Sequence, residues 1–393
     1  MKGSGSWRKR VVDFTCSSIL YVSLAFGLLP FKYDASCRKL SRSKWLICYS
    51  IVLNGGLVWM TLTLNVAESL PLEEEIFRRS PLSKQISSLL RMLSLSTTLL
   101  AFFRTWWRSG ELASVLNEFM ELDTFFSRHY SYKMDMRSCL VFDNYIVYKA
   151  VFIVLEISST LFTEYSFSPI SSWHHFVGIL ALATQHLEVL LMSMHFYLAV
   201  IHTYRYIWTI NRQLLRLANN CWTQDNVVDV AEVERMLQVY KRLLELNDRL
   251  VILYDLQSLL LMMTLLWANI ITAFFFVVIN FSLRKMTAFM ALVVIPQITI
   301  INCWDFWLSI AVCERATCAG RATPAILKLF SDFPKLEGEL ERALEMFALW
   351  LSHCRLRYRY CGLFYMDNAL GFKMLVTGVL YWIVLVQFDF MNL

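Results

Sequence analysis

A few ionisable side chains interrupt long apolar stretches of this sequence, and they are the groups best suited to bind a polar or charged molecule. Lys149 and Glu156 stand seven positions apart, which is two helical turns, so they share one helix face. His186 and Asp305 interrupt two other stretches. A charged group in hydrocarbon costs roughly 2.5–3.5 kcal/mol on insertion scales. Two explanations stay open: opposite charges pair inside a helical bundle, as for Lys149, Asp255 and Asp305, or they contact a ligand.

Motifs of enzymatic chemistry are absent from the sequence. Its 12 glycines form no phosphate-binding loop, and no nucleophile motif or metal-ligand cluster occurs. The spacing of Cys313 and Cys318 is not that of a zinc site. We therefore expect no enzyme, no cofactor and no metal ion. Basic groups such as Arg8-Lys9-Arg10 suit anionic lipid, so the lipid bilayer is an expected partner and nucleic acid is not.

The elements that must position these side chains are long apolar helices. Hydrophobic residues make up 57% of the 393 positions and charged residues 17%, against about 45–50% and about 25% in soluble domains. Crossing roughly 30 Å of hydrocarbon takes about 20 helical residues. Seven runs come close to that length and predict an all-α integral membrane protein with seven transmembrane helices: residues 45–64, 86–103, 145–162, 173–202, 251–281, 287–313 and 369–388.

The distribution of Lys and Arg predicts which side of the membrane each connection faces. Of the 37 basic residues, 29 lie in the N-terminal segment and in every second connection, five lie in the alternate set and three lie inside runs. Because basic residues stay preferentially in the cytoplasm, the N-terminus is predicted inside and the C-terminus outside. Residues 1–44 then form a cytoplasmic segment with an amphipathic helix, although a true first span there stays open. Residues 45–393 form one transmembrane domain.

Apolar stripes continue beyond the spans into the predicted cytoplasmic connections, about 204–249 and 314–368. A helical period leads into the fifth run through Val233, Met236, Tyr240 and Leu243, and a second one precedes the seventh run through Leu336, Leu340, Leu344, Phe347 and Leu351. An amphipathic helix needs a partner for its apolar face. That partner is either another helix of the same chain or a neighbouring subunit.

The last run carries the most specific pattern. Tyr381 is followed by five apolar residues and then by Gln387 and Phe388, five residues before the end. This closely resembles the C-terminal signature of the insect gustatory receptor family, Thr-Tyr, five hydrophobic residues and Gln-Phe. Leu380 stands where the family usually has Thr. The stretch from Phe26 to Phe31, before a Trp-led first run, looks like a divergent subfamily grouped with bitter or aversive taste.

This resemblance implies a gustatory receptor in the plasma membrane of sensory neurons. It would be a tetrameric, ligand-gated, non-selective cation channel that detects small-molecule tastants and mediates acceptance or avoidance. In that family, the seventh helix lines a central pore and cytoplasmic extensions of helices four to seven form an anchor domain between subunits. Each subunit has a ligand pocket that opens outward and is formed among helices two to six.

Two sets of candidate site residues follow from this layout. Aromatic and polar side chains in the outer halves of the spans are candidates for the ligand pocket: Arg91, Glu156, His186, Trp267, Asn269 and Gln297. Helical spacing along the pore helix, residues 369–388, and the residue just after it supply the pore and gate candidates: Thr377, Tyr381, Val384, Gln387, Phe388 and Asp389. The resemblance assigns the Gln-Phe end to the constriction, where four Phe388 rings would exclude water and four Asp389 carboxylates would attract cations.

Two other classes of membrane protein remain as alternatives. A G-protein-coupled receptor also has seven helices, but that class requires an N-terminus outside the cell, against the distribution of basic residues. A small-molecule transporter commonly has paired spans broken by Gly or Pro in two related halves. Pro296 is the only proline well inside a run, which argues against a transporter.

Overall fold

The computed structural model describes residues 4–34, 36, 39–67, 81–130, 139–167, 173–223, 230–282, 295–331 and 338–391. Helices dominate these residues, and two short hairpins join them. In chain order the elements are α1 (Ser4–Ala25), β1 (Phe31–Asp34), β2 (Lys39–Arg42), α2 (Lys44–Ala67), α3 (Pro81–Trp107), α4 (Ser109–Tyr130), α5 (Leu140–Phe167), α6 (Trp173–Thr223), α7 (Val230–Ser282), α8 (Ile295–Ser331), α9 (Gly338–His353), β3 (Arg359–Tyr360), β4 (Phe364–Tyr365) and α10 (Asn368–Met391).

Six helices of this part of the chain are long and apolar enough to cross a membrane: α2, α3, α5, α6, α7 and α10. They coincide with six of the seven predicted runs. The remaining run, 287–313, falls on α8 from residue 295 onward, and its first residues lie outside the described part. Helix α1 is not among the six. It buries Val12 and Ile19 on one face and exposes Trp7, Phe14 and Tyr21 at seven-residue intervals on the other, so apolar side chains lie on both faces and the amphipathic helix stays a prediction.

The all-α prediction omits two antiparallel hairpins. Strand β1 pairs with β2, and β3 pairs with β4. The side chain of Asn117 on α4 holds the first hairpin against α4. It accepts a hydrogen bond from the Leu40 amide (2.7 Å) and donates one to the Leu40 carbonyl (2.9 Å). Strands of two to four residues are too short for an alternating pattern to stand out in a sequence, so these hairpins were not predicted.

Helix α6 is the central element, and it packs against α2, α5, α7 and α8. It has 51 residues and α7 has 53, so both run from the membrane spans into the predicted cytoplasmic layer without a break. Leu336 of the second predicted stripe lies outside the described residues, and the other members of both stripes are buried within the single chain. The rings of Tyr240 on α7 and Phe347 on α9 meet edge to face at 5.5 Å. For the residues described, a helix of the same chain therefore covers these stripes.

A tight turn after α1 joins the first three helices. Gly27 adopts a φ of +69° there, in the left-handed region that favours glycine. The Ser50 hydroxyl of α2 donates to the Gly27 carbonyl (2.5 Å) and accepts from the indole nitrogen of Trp106 on α3 (2.6 Å). A Cβ atom at Gly27 would lie 2.9 Å from the Ser50 Cα atom. Both the backbone conformation and the close packing therefore require glycine.

We expect Gly27→Ala to lower the free energy of unfolding by about 1–3 kcal/mol, the usual cost of forcing a side chain into this backbone region. The thermal midpoint of the full chain, purified in detergent and followed by size-exclusion chromatography, measures the effect. Gly56→Ala is the matched control, because Gly56 lies on an exposed helix face with no atom within 4 Å of the added Cβ. Equal midpoints for the two variants would contradict the role of the turn.

Candidate functional site

A buried ion pair joins two of the predicted spans. The Lys149 ammonium of α5, fully shielded from solvent, donates to both carboxylate oxygens of Asp305 on α8 at 2.7 and 2.6 Å. The Ser309 hydroxyl, 3.3 Å away, accepts a third hydrogen bond. Arg104 on α3 lies 3.2 Å from Asp255 on α7 and forms a second, less buried pair. The pairing explanation for Lys149, Asp255 and Asp305 is therefore confirmed, and Arg104 is a partner that the sequence did not reveal.

Two of the predicted pocket residues lie against each other. Glu156 on α5 is almost fully buried, and its Oε1 lies 3.3 Å from the Nε2 of His186 on α6. This distance is that of an ion pair, but the ring nitrogen is not aligned for a hydrogen bond. About a third of the His186 side chain is exposed. The two residues thus form a polar pair in which Glu156 is buried and His186 is partly exposed.

The other pocket candidates lie elsewhere in the bundle. Arg91 is exposed on α3, and Asn269 is half-buried on α7. Trp267 belongs to a cluster of α3, α7 and α10, where its ring lies 6.2 Å from that of Tyr381. Gln297 lies on α8, but its side chain is outside the described part of the chain. The structure therefore brings Glu156 and His186 together and places Trp267 against the predicted pore helix.

A small cavity that the sequence did not reveal lies next to the ion pair. It has a volume of about 30 Å³ and lies between α6, α7, α8 and the second hairpin, with Ser193, Tyr197, Ser258, Ser309 and Tyr360 as its hydroxyl groups. Apolar side chains such as Phe196, Leu261 and Phe306 form most of the lining, and the volume has room for about one or two water molecules. Burial raises the pKa of Tyr360 well above its usual value, which keeps the phenol neutral. No sequence signal could have placed Tyr360 here, because a hairpin brings it from far along the chain.

The predicted pore helix, α10, begins with a clear N-terminal cap and leaves most of its surface uncovered. The carboxylate of Asp367 accepts a hydrogen bond from the Leu370 amide at 2.8 Å. Five of the six predicted pore residues are exposed: Thr377, Tyr381, Val384, Gln387 and Phe388. Only a narrow face of α10 is buried in its own chain, so most of the predicted stripe is uncovered, although the Tyr381 ring also lies beside Trp267 of α7.

Asp389 is the exception among the predicted pore residues. It is buried, with only 7% of its surface exposed. Asp389 lies eleven residues, or about three helical turns, after Gly378. Both residues therefore lie on the face of α10 that packs against the rest of the bundle. The prediction of an exposed carboxylate at this end of α10 therefore does not match the single chain.

Two glycines determine how closely α10 approaches its neighbours. A Cβ atom at Gly371 would lie 3.0 Å from side-chain atoms of Ile310 and Trp307 on α8. At Gly378 a Cβ atom would lie 3.4 Å from Leu266 on α7. The lack of side chains at these positions brings the backbone of α10 against both helices. The opposite, exposed face is consequently held in a defined direction.

Comparison with known proteins gives one family. The model of the 7tm chemosensory receptor family matches residues 17–392. The chain is 40% identical over 391 residues to gustatory receptor for bitter taste 22e of Drosophila melanogaster, covering 100% of this chain and 99% of that protein. It is also 40% identical over 385 residues to putative gustatory receptor 22a of the same organism, covering 98% and 96%.

Solved structures with a similar fold come from insect olfactory receptors. The structure of receptor OR5 from Machilis hrabei superposes with a TM-score of 0.66 and covers 97% of this chain and 99% of that one. Its complex with eugenol superposes with a TM-score of 0.62, covering 97% and 98%. Sequence identity is 12% in both cases, so this likeness concerns the fold alone.

We expect replacement of one partner of the Lys149–Asp305 pair to destabilise the protein strongly. Lys149→Met leaves the Asp305 carboxylate buried without its cation, which costs about 3–5 kcal/mol in comparable pairs. The double variant Lys149→Met/Asp305→Leu removes both charges and is expected to recover most of the loss. Thermal midpoint and surface expression of the full chain measure both effects.

Lys241→Met is the matched control for this experiment. Lys241 lies 4.0 Å from Glu245 in an exposed pair on α7, and such pairs contribute about 0–1 kcal/mol. A double variant no more stable than Lys149→Met would show that the lysine supports the bundle through packing rather than through its charge.

Proposed function

Because this chain belongs to the 7tm chemosensory receptor family, we propose that it is a gustatory receptor that works as a tetrameric, ligand-gated, non-selective cation channel. It is a multi-pass membrane protein and not an enzyme. Its stimulus is a small-molecule tastant, and its place is the plasma membrane of gustatory sensory neurons. The relative named for bitter taste supports an aversive role.

The exposed stripe of α10 is the observation that carries this proposal. A helix of 24 residues that packs only one narrow face on its own chain leaves the remainder for lipid, water or another subunit. Thr377 and Gln387 place polar groups on the exposed surface, and Phe388 lies beside Gln387 with 54% of its surface exposed. Around a four-fold axis, four such stripes would enclose a path with an apolar constriction, which closes by excluding water.

A second exposed apolar surface supports the association of subunits. Helix α9, in the predicted cytoplasmic layer, buries Leu344 and Phe347 but exposes Met346 and Leu349, at 69% and 61% of their surfaces. Outside the membrane, neighbouring exposed apolar side chains of this size mark contact surfaces. In the proposed tetramer this face of α9 packs against a neighbouring subunit and contributes to the anchor domain.

For the ligand, we propose the polar side chains in the outer half of the bundle, chiefly Glu156 and His186. Because an olfactory receptor of similar fold was solved with eugenol, a small organic molecule is a suitable class of ligand. Trp267 contacts Tyr381 of α10. In this proposal, that contact transmits the structural change caused by ligand binding from the pocket helices to the exposed stripe of α10.

We expect the N-terminus in the cytoplasm and the C-terminus outside, as the distribution of basic residues indicates. Epitope tags at the two ends of the full chain, probed with antibodies in intact and permeabilised cells, measure this orientation. The C-terminal tag should stain intact cells, and the N-terminal tag should stain only after permeabilisation. The reverse pattern is that of a G-protein-coupled receptor and would sink the channel proposal.

We expect Phe388→Ala to raise the current that flows without ligand, because a smaller side chain no longer excludes water from the constriction. Whole-cell recording at matched surface expression measures it. Phe390→Ala is the control, since Phe390 is equally exposed at 54% but lies about 160° away around α10. If both variants leave the resting current at the wild-type level, the Gln-Phe end of α10 does not form the gate.

A further inference from the structure

The buried charges of α5 and α8 are not evenly balanced. Lys149 donates to both carboxylate oxygens of Asp305, so this pair neutralises itself. Glu156 lies two turns further along α5, about 10 Å from Lys149 along the helix axis. Only 4% of its surface is exposed. Among the described residues, its carboxylate forms an ion pair only with the His186 ring, which is charged only when protonated, so Glu156 has no permanent cation of the kind that Lys149 provides for Asp305.

One oxygen of the Glu156 carboxylate also lacks a hydrogen-bond donor among the described residues. Among the described residues, no donor reaches its Oε2 atom, and the Nε2 atom of His186 lies 3.3 Å from Oε1 without the alignment of a hydrogen bond. The Thr160 hydroxyl, one turn later, donates instead to the backbone carbonyl of Glu156 at 2.9 Å. A carboxylate can accept about four hydrogen bonds. The Glu156 carboxylate can thus accept further hydrogen bonds.

Access distinguishes Glu156 from the other unpartnered carboxylate in this part of the chain. Glu188 on α6 is completely buried, and neither of its oxygens has a partner among the described residues. It lies about 160° away from His186 around α6. Glu156, in contrast, lies behind a histidine that is about one third exposed. The His186 ring therefore lies between the Glu156 carboxylate and the surface of this chain.

We propose that Glu156 is the anchor for a protonated amine, so that the ligands of this receptor are small organic cations with an apolar body. This inference rests on the proposed function and specifies its ligand class. An ammonium group supplies both missing elements, the positive charge and N–H donors, and a charge-assisted hydrogen bond is about twice as strong as a neutral one. Ile153, buried one turn before Glu156 on the same face, provides an apolar surface for the body of the ligand.

The ligand class can be tested with matched pairs of compounds on the full chain. The probes are primary amines of increasing size, from butylamine to 2-phenylethylamine, each compared with the alcohol of the same skeleton. We expect at least one amine to evoke current at a concentration about ten- to a hundredfold below that of its alcohol, the range expected of one charge-assisted hydrogen bond. Glu156→Gln should abolish this preference, while Glu156→Asp should keep part of it.

Glu188→Gln is the matched control, since it neutralises a buried carboxylate on the other side of α6 and should keep the amine preference. Binding is measured separately, as the rise in thermal midpoint of the purified chain with each amine, so that a channel defect is not mistaken for lost binding. A chain that responds to neutral compounds but to no amine, or whose amine preference survives Glu156→Gln, overturns the ligand class and leaves the proposed function intact. A chain at the surface without ligand-evoked current, whose midpoint no amine raises, counts against both.

Discussion

The arrangement of the bundle depends on one electrostatic constraint, the burial of the Lys149 ammonium against Asp305 in an apolar environment. Neither charge is stable there without the other, so α5 and α8 can pack only in the register that brings them together. The Tyr197 ring of α6 lies 5.5 Å from the same ammonium, and its hydroxyl donates to the Tyr145 carbonyl of α5 at 2.9 Å. Three helices are thereby aligned at one point, and the cavity, Glu156 and His186 take their positions from it.

A second polar cluster aligns the same long helices in the predicted cytoplasmic layer. The Asn211 amide of α6 donates to the Ala319 carbonyl of α8 at 2.8 Å and accepts from the Thr323 hydroxyl at 2.8 Å. The Tyr240 hydroxyl of α7 lies 3.3 Å from Thr323. Because buried polar groups of this kind are satisfied only in one arrangement, they specify a unique packing. The two clusters hold α6 and α8 at both levels, whereas α10 contacts the bundle through a single face.

The sequence predicts those features that follow from physical limits acting on one helix at a time. Span lengths follow from the thickness of hydrocarbon, and the expectation that Lys149, Asp255 and Asp305 are paired inside the bundle follows from the cost of burying charge. The partner of Asp255 was not predictable, because Arg104 lies 151 positions away on another helix. Asp389 was misplaced because the orientation of α10 is determined by the glycine contacts of its buried face. The cavity escaped prediction since three helices and a hairpin build it jointly.

The continuity of α6 has a mechanical consequence. Tyr197, the residue that meets the ion pair, lies almost at the midpoint of this 51-residue helix. The two arms of α6 are therefore about 36 and 39 Å long at 1.5 Å per residue. If α6 tilts as one rigid rod about its contact with the Lys149–Asp305 ion pair, a tilt of about 5° displaces its two ends by about 3 Å in opposite directions.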